Sequence, residues 1–175
     1  MDSVILLERV EHNNNLREGN DTCSVDVFGF KDSEAVDVRD YLHTEFGDPK
    51  LYALEVVDAA DFPEELLDDN GQGPNWAAVI DYYKAARSIE DQEELDAFKA
   101  LFVHKGTWGD AESTRNEFDN YYRGKYATAA EFAQSEMESI PSWVDPWVDW
   151  QGMGESFCAG AGDYYVLEDK YYFRR

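Results

Sequence analysis

The feature that most restricts this chain is an excess of carboxylates threaded through aromatic-rich sequence. There are 38 Asp and Glu against 15 Lys and Arg, a formal net charge of -23, and the chain must fold around that self-repulsion. A disordered acidic tail on a neutral domain would be the ordinary arrangement. The distribution argues otherwise: residues 1–58 hold 14 acids and 5 bases, residues 59–105 hold 11 and 4, and residues 106–175 hold 13 and 6. No block of five consecutive acids occurs, and Trp, Tyr, Phe, Leu and Val are interleaved throughout. The charge therefore belongs to folded surface.

What such a surface meets follows from Coulomb's law. It repels nucleic acid and anionic lipid and attracts basic grooves. Duplex DNA carries one charge per about 1.7 Å of axis, so a net 23 charges matches roughly 40 Å, or about 12 base pairs. The longest apolar runs, such as Val4 to Leu7, fall far short of the roughly 20 residues that cross a bilayer. The N-terminus lacks the basic and apolar regions of a secretory signal, so a cytoplasmic protein with no membrane partner is expected. Cys23 and Cys158 stand far apart outside any C-x-x-C or zinc pattern and are expected as reduced thiols.

Local patterning predicts an α+β chain of three small modules. Residues 3–10 and 22–30 read as strands, a helix capped by Asp32 or Ser33 runs to about Phe46 before Gly47 and Pro49, and residues 50–57 form another strand; residues 1–58 make one α+β module. A central helical module over residues 59–105 starts with a short helix near Asp61 to Leu67. It continues with Trp76 to about Arg87, and then a helix opened by Ser88 with Asp91 three residues on. In that last helix Leu95, Phe98, Leu101 and Phe102 share a face, with Glu90, Glu93, Glu94 and Asp96 largely elsewhere. Residues 106–175 read as an aromatic-rich α+β module. It contains a helix from Trp108 to Tyr122, a Thr128/Glu131 capping box opening a helix to about Ser139, and a terminal hairpin turning at Glu168 and Asp169.

The sequence carries none of the motif patterns by which enzymes are ordinarily recognised. His12, His43 and His104 are isolated, and no zinc-protease or phosphate-loop motif occurs. Glu168-Asp169-Lys170 has the E-x-K form of some nucleases, but a nuclease must attract DNA, so a hairpin turn is the better reading. Asp68-Asp69-Asn70-Gly71 begins like a calcium loop whose twelfth position is Val79 in place of a bidentate Glu. Gly152 and Gly154, like Gly160 and Gly162, fail to complete G-x-G-x-x-G and read as packed turns. The expectation is a non-enzymatic protein without cofactor or metal.

One resemblance covers most of the chain. Phe118-Asp-Asn-Tyr-Tyr-Arg-Gly-Lys-Tyr126 followed by Glu131-Phe132-Ala133 resembles the F-x-x-x-Y-x-G-x-[YF] and E-[FY]-A stretch of ArdA antirestriction proteins. Pro141, Asp149-Trp150, Gly162-Asp163-Tyr164 and Phe173-Arg174 follow in the family's order, and Leu42-His43, Asp48-Pro49 and Phe62-Pro63 with Leu66 resemble its upstream landmarks. The family's opening Y-V-G-T-Y is replaced by Val4 to Val10, and its acidic, arginine-containing helix after the D-W position becomes Gln151-Gly-Met-Gly-Glu155.

The resemblance implies an elongated three-module DNA mimic, often dimeric, that blocks Type I restriction-modification enzymes by filling their DNA groove. It implies no direct contact with nucleic acid. The expected mimic surface is Asp58, Asp61, Glu64, Glu65, Asp68 and Asp69, then Glu90, Glu93 and Glu94, then Glu112, Glu117, Asp119, Glu131, Glu136 and Glu138. Trp143, Trp147, Trp150, Tyr164 and Tyr165 are the candidates for self-association. Two alternatives stay open at this point: mimicry directed at another nucleic-acid-binding system such as a CRISPR effector, and an acidic interaction module anchored by Trp143, Trp147 and Trp150.

Overall fold

β-Branched and aromatic residues at alternate positions build the first layer. In the computed structural model, which describes residues 4–11, 22–26, 35–46, 52–59, 61–67, 74–106, 111–137 and 140–175, β1 (Val4–Glu11), β2 (Thr22–Asp26) and β3 (Tyr52–Asp58) form an antiparallel sheet ordered β2-β1-β3. Ile5 pairs with Val25 and Leu7 with Val56, so the period of two places Ile5, Leu7 and Val25 on one buried face. Helix α1 (Ala35–Phe46) contributes Val38 and Leu42, one turn apart, to the same core.

The helical centre is packed by rings. Helix α2 (Glu64–Leu67) buries Leu66, and Pro63 sits just before its first residue, where its missing N–H costs nothing. Helix α3 (Trp76–Ala86) is capped by the Asn75 side chain and buries residues around most of its circumference, including Trp76, Val79, Tyr82 and Tyr83. Helix α4 (Gln92–Lys105) buries the expected face of Leu95, Phe98, Leu101 and Phe102 and ends at Gly106, whose φ of 59° suits a glycine stop. Tyr82 lies 5.6 Å from Phe98 and 5.0 Å from Phe102 between ring centroids, and Phe98 meets Phe118 of helix α5 (Ala111–Tyr121) edge-on at 5.7 Å. Such pairs add about 0.5–1.5 kcal/mol each beyond burial.

Carboxyl-terminal strands complete a second antiparallel sheet ordered β4-β6-β5, from β4 (Tyr122–Lys125), β5 (Tyr164–Leu167) and β6 (Tyr171–Arg174). Tyr171, Tyr172 and Phe173 are all buried because both faces of the central strand are covered. On one side Phe173 packs against Phe118, Tyr122 and Tyr165. On the other, Tyr172 stacks on Phe132 of helix α6 (Ala129–Glu136) at 4.3 Å, and Phe132 also meets Phe157 of helix α7 (Trp150–Cys158). The architecture is mixed α+β, as the patterning predicts.

Three expectations need correction. Asp91, and not Ser88, caps α4: its Oδ1 accepts from the amides of Glu93 at 2.8 Å and Glu94 at 3.0 Å, so the helix opens three residues later than expected. The helix read to Tyr122 ends at Tyr121, because Tyr122 pairs with Phe173 and starts β4. The glycines at 152 and 154 lie inside α7 and not in turns. An ideal Cβ on Gly154 would fall 1.9 Å from the Ala129 carbonyl oxygen, so the glycine is where α6 and α7 touch backbone to backbone.

The hairpin turns where expected. Glu168 and Asp169 have φ of 50° and 58°, and the Lys170 amide donates to the Leu167 carbonyl at 3.1 Å, the arrangement of a type I′ turn. The Thr128/Glu131 pair acts as a cap: Thr128 accepts from the Glu131 amide, and Glu131 reaches back to the Ala127 amide.

Candidate interaction surface

The acids expected to form one surface divide into those that hold the fold and those that do not. Glu117 pairs with Lys105, Asp119 with Arg115 at 2.8 Å, and Glu93 with Lys125 at 3.2 Å. Glu131 caps α6, and half-buried Glu136 accepts from the Tyr164 hydroxyl. Asp61 is half-buried, with its carbonyl accepting from the Tyr82 hydroxyl. Glu64, Glu65, Glu90, Glu94 and Glu112 are exposed, and none makes an ion pair among the described residues. Asp58 ends β3; Asp68, Asp69 and Glu138 lie outside the described residues.

The densest charge sits where α4 begins. From Glu90 to Asp96 there are five carboxylates and no base, and all five side chains are exposed. The geometry follows from Leu95 and Phe98: once these turn inward, the helical period leaves Glu93, Glu94 and Asp96 outward. Negative charge in the first turn of α4 also opposes the positive end of its dipole, which is why this cluster is tolerated. Glu64, Glu65 and Asp96 line one open cleft of about 500 Å³ together with Lys99, Glu168 and Lys170. Patterning along one helix does not reveal this pairing of α2 with α4. Asp91 and Asp96 thus share the exposed row with the expected acids, and the off-face position of Asp96 in the helical period marked it.

The buried tyrosines register the same field. The Tyr122 hydroxyl has no hydrogen-bond partner among the described residues, and burial first, then Glu93, push its pKa well above the ordinary value. Burial, then Asp61 and Asp96, do the same to Tyr82. Tyr165 is pushed up to about 12 by burial and by Glu117, to which its hydroxyl donates.

Glu168 and Lys170 pair with each other at 3.2 Å, and the Lys170 ammonium lies 4.7 Å from the Tyr171 ring centre. Among the described residues no group of three or more His, Cys, Asp and Glu is placed to hold a metal ion. His104 stacks on Tyr165, and Cys158 is a half-buried free thiol raised in pKa by burial. Among the described residues, no helix is long and apolar enough to cross a membrane.

The five aromatic residues expected at a self-association face also divide. Tyr165 packs on Phe173, Tyr164 on Phe132, and the Trp150 indole donates to Asp145 at 2.8 Å. Trp143 and Trp147 remain 76% and 86% exposed. No protein-family model matches this chain, and neither the curated proteins nor the solved structures contain a match to it.

Proposed function

We propose that this protein is a cytoplasmic antirestriction protein of the ArdA kind, which imitates duplex DNA and occupies the DNA groove of a Type I restriction-modification enzyme. The observation that carries the reading is the base-free row Glu90 to Asp96, exposed at an ordered helix start, with Asp96 lining one cleft with Glu64 and Glu65. A solvated helix face ordinarily pairs its acids with bases at i, i+4. Here Lys125 pairs with Glu93 from outside the row, while Glu64, Glu65, Glu90 and Glu94 are exposed and make no ion pair among the described residues, so they can meet external cations.

A groove built from Arg and Lys to neutralise phosphates binds fixed carboxylates through the same contacts. Two properties of the fold favour this use. The carboxylates sit on helices held by a ring-packed core, so little ordering entropy is lost on binding. Their collective field steers association with a positive groove at long range.

The test is a titration of a purified Type I enzyme with this protein in the presence of its cognate duplex, scoring DNA binding and cleavage together. Stoichiometric loss of both, relieved by excess duplex, is the expected result. An enzyme that binds and cuts DNA unaffected at low salt, in the presence of folded protein, overturns the proposal for that target.

A further inference from the structure

The segment between α6 and α7 presents two large rings to solvent that packing elsewhere in the molecule does not use. Trp143 and Trp147 are 76% and 86% exposed, and among the described Phe, Tyr and Trp side chains only Tyr121, at 41%, is exposed besides them. The backbone carrying them is held in place. The Val144 amide donates to Pro141 at 2.8 Å, Trp147 to Val144 at 2.8 Å, and Trp150 to Val148 at 3.0 Å, with Pro146 inside the short 3-10 turn Asp145–Trp147. Asp145 is tied by the Trp150 indole and Asp149 by the Gly152 amide, each through Oδ1, which leaves both Oδ2 atoms without a partner among the described residues. Rings and carboxylates thus alternate along one hydrogen-bonded segment, Trp143, Asp145, Trp147 and Asp149.

We infer that Trp143 and Trp147, with Asp145 and Asp149, dock a short arginine-bearing segment of a partner protein. Two observations select this occupant. The first is charge: from Ala127 to Asp169 the chain has 9 acids and no Lys or Arg, so a cationic segment is favoured and an acidic one excluded. The second is size: two tryptophans exposed to this degree offer roughly 400 Å², about half of the roughly 800 Å² per partner in a standard stable interface. That area suits a peptide segment, whereas a second copy would also bring a net -23 against -23. Arginine is favoured over lysine because its planar guanidinium stacks on an indole while its N–H groups bond a carboxylate. The inference is independent of DNA mimicry, since it uses none of the carboxylates on α2 or α4.

The experiment uses the full chain with ¹⁵N-labelled tryptophan and, as probe, a peptide of alternating arginine and glycine at physiological salt. The indole resonances of Trp143 and Trp147 should move together and saturate. Trp143→Ala with Trp147→Ala should weaken the peptide at least about tenfold at unchanged circular dichroism, and a lysine-glycine peptide should bind several-fold less tightly. Asp145→Asn with Asp149→Asn should weaken it too, while Gln at Glu64, Glu65, Glu90 and Glu94 should leave this binding intact. Equal affinity for the double tryptophan variant, or shifts confined to other indoles, overturns the inference. So does a concentration-dependent dimer, seen by sedimentation, that the same double variant abolishes, because the occupant is then a second copy.

Discussion

Replacing Gly154 by alanine should destabilise the protein, although alanine is the better helix former. In an open helix interior the change gains about 1 kcal/mol. At Gly154 the new Cβ would lie 1.9 Å from the Ala129 carbonyl oxygen and 2.5 Å from its carbon, against an ordinary contact of at least 3.4 Å. Helix α7 must then move about 1.5 Å from α6, which opens the contact of Phe132 with Phe157. Overpacking against backbone costs about 1–3 kcal/mol and here sits at the upper end, so the net loss is about 2 kcal/mol. Gly152, two residues earlier, is the control. Its Cβ would meet the Asp149 Oδ2 at 2.5 Å, the end of an exposed side chain that can swing away. Losing that cap costs about 1 kcal/mol and offsets the helix gain. Urea unfolding followed by tryptophan fluorescence should place Gly154→Ala about 1 M below Gly152→Ala, for an m-value near 2 kcal/mol/M. Equal midpoints, or a stabilised Gly154→Ala, would refute the backbone contact between α6 and α7.

Other perturbations follow from the same geometry. Glu168→Asn with Asp169→Gly places residues suited to positive φ at the hairpin turn and should raise stability by about 1 kcal/mol after loss of the exposed Glu168–Lys170 pair, read as a higher unfolding midpoint; a lower one would contradict the turn. Because Tyr165 is raised from 10 to about 12 in the fold, its contribution is fully present below pH 10 and is lost as pH rises through 12, so alkaline unfolding should accompany tyrosinate absorbance in that window. Ionisation of Tyr165 itself near pH 10 with the fold intact, read as the absorbance step that Tyr165→Phe removes, would count against its burial. Glu64, Glu65, Glu90 and Glu94 all changed to Gln should leave the fold within about 1 kcal/mol of wild type yet reduce inhibition of the restriction enzyme by an order of magnitude or more. Unchanged inhibition would remove these carboxylates from the binding surface.

Features determined within one turn of chain were legible in the sequence, and those determined across the fold were not. The Thr128/Glu131 cap and the inward face of Leu95, Phe98, Leu101 and Phe102 both depend on spacing alone. Ser88 and Asp91 were harder, because either can cap a helix and the choice depends on where Ile89 is buried. Strand β4 has four residues including Gly124 and draws its identity from pairing with β6, 51 residues away at the Tyr122–Phe173 pair. Helix α7 was hidden by two glycines, of which Gly154 has a tertiary reason, its contact with Ala129, while Gly152 meets only the nearby Asp149 side chain. The Asp81 side chain that accepts the Ala111 amide at 2.9 Å, supporting the start of α5, is likewise remote in sequence. For the acidic surface, periodicity marked Glu93 and Glu94 as outward, but not the ion pairs of Glu93, Glu117 and Asp119 or the cleft that brings Glu64 and Glu65 to Asp96. Trp143 and Trp147 were singled out for a surface role, and their exposure separates them from Trp150, whose indole is bound to Asp145.

The most direct test of DNA mimicry is the affinity of this protein for a Type I restriction-modification enzyme, measured calorimetrically without DNA over a series of salt concentrations. The account predicts a one-groove stoichiometry and a logarithm of affinity that falls linearly with the logarithm of salt, with a shallower slope for the variant carrying Gln at Glu64, Glu65, Glu90 and Glu94. Binding that is insensitive to salt, or a slope shared by the wild type and that variant, would contradict it.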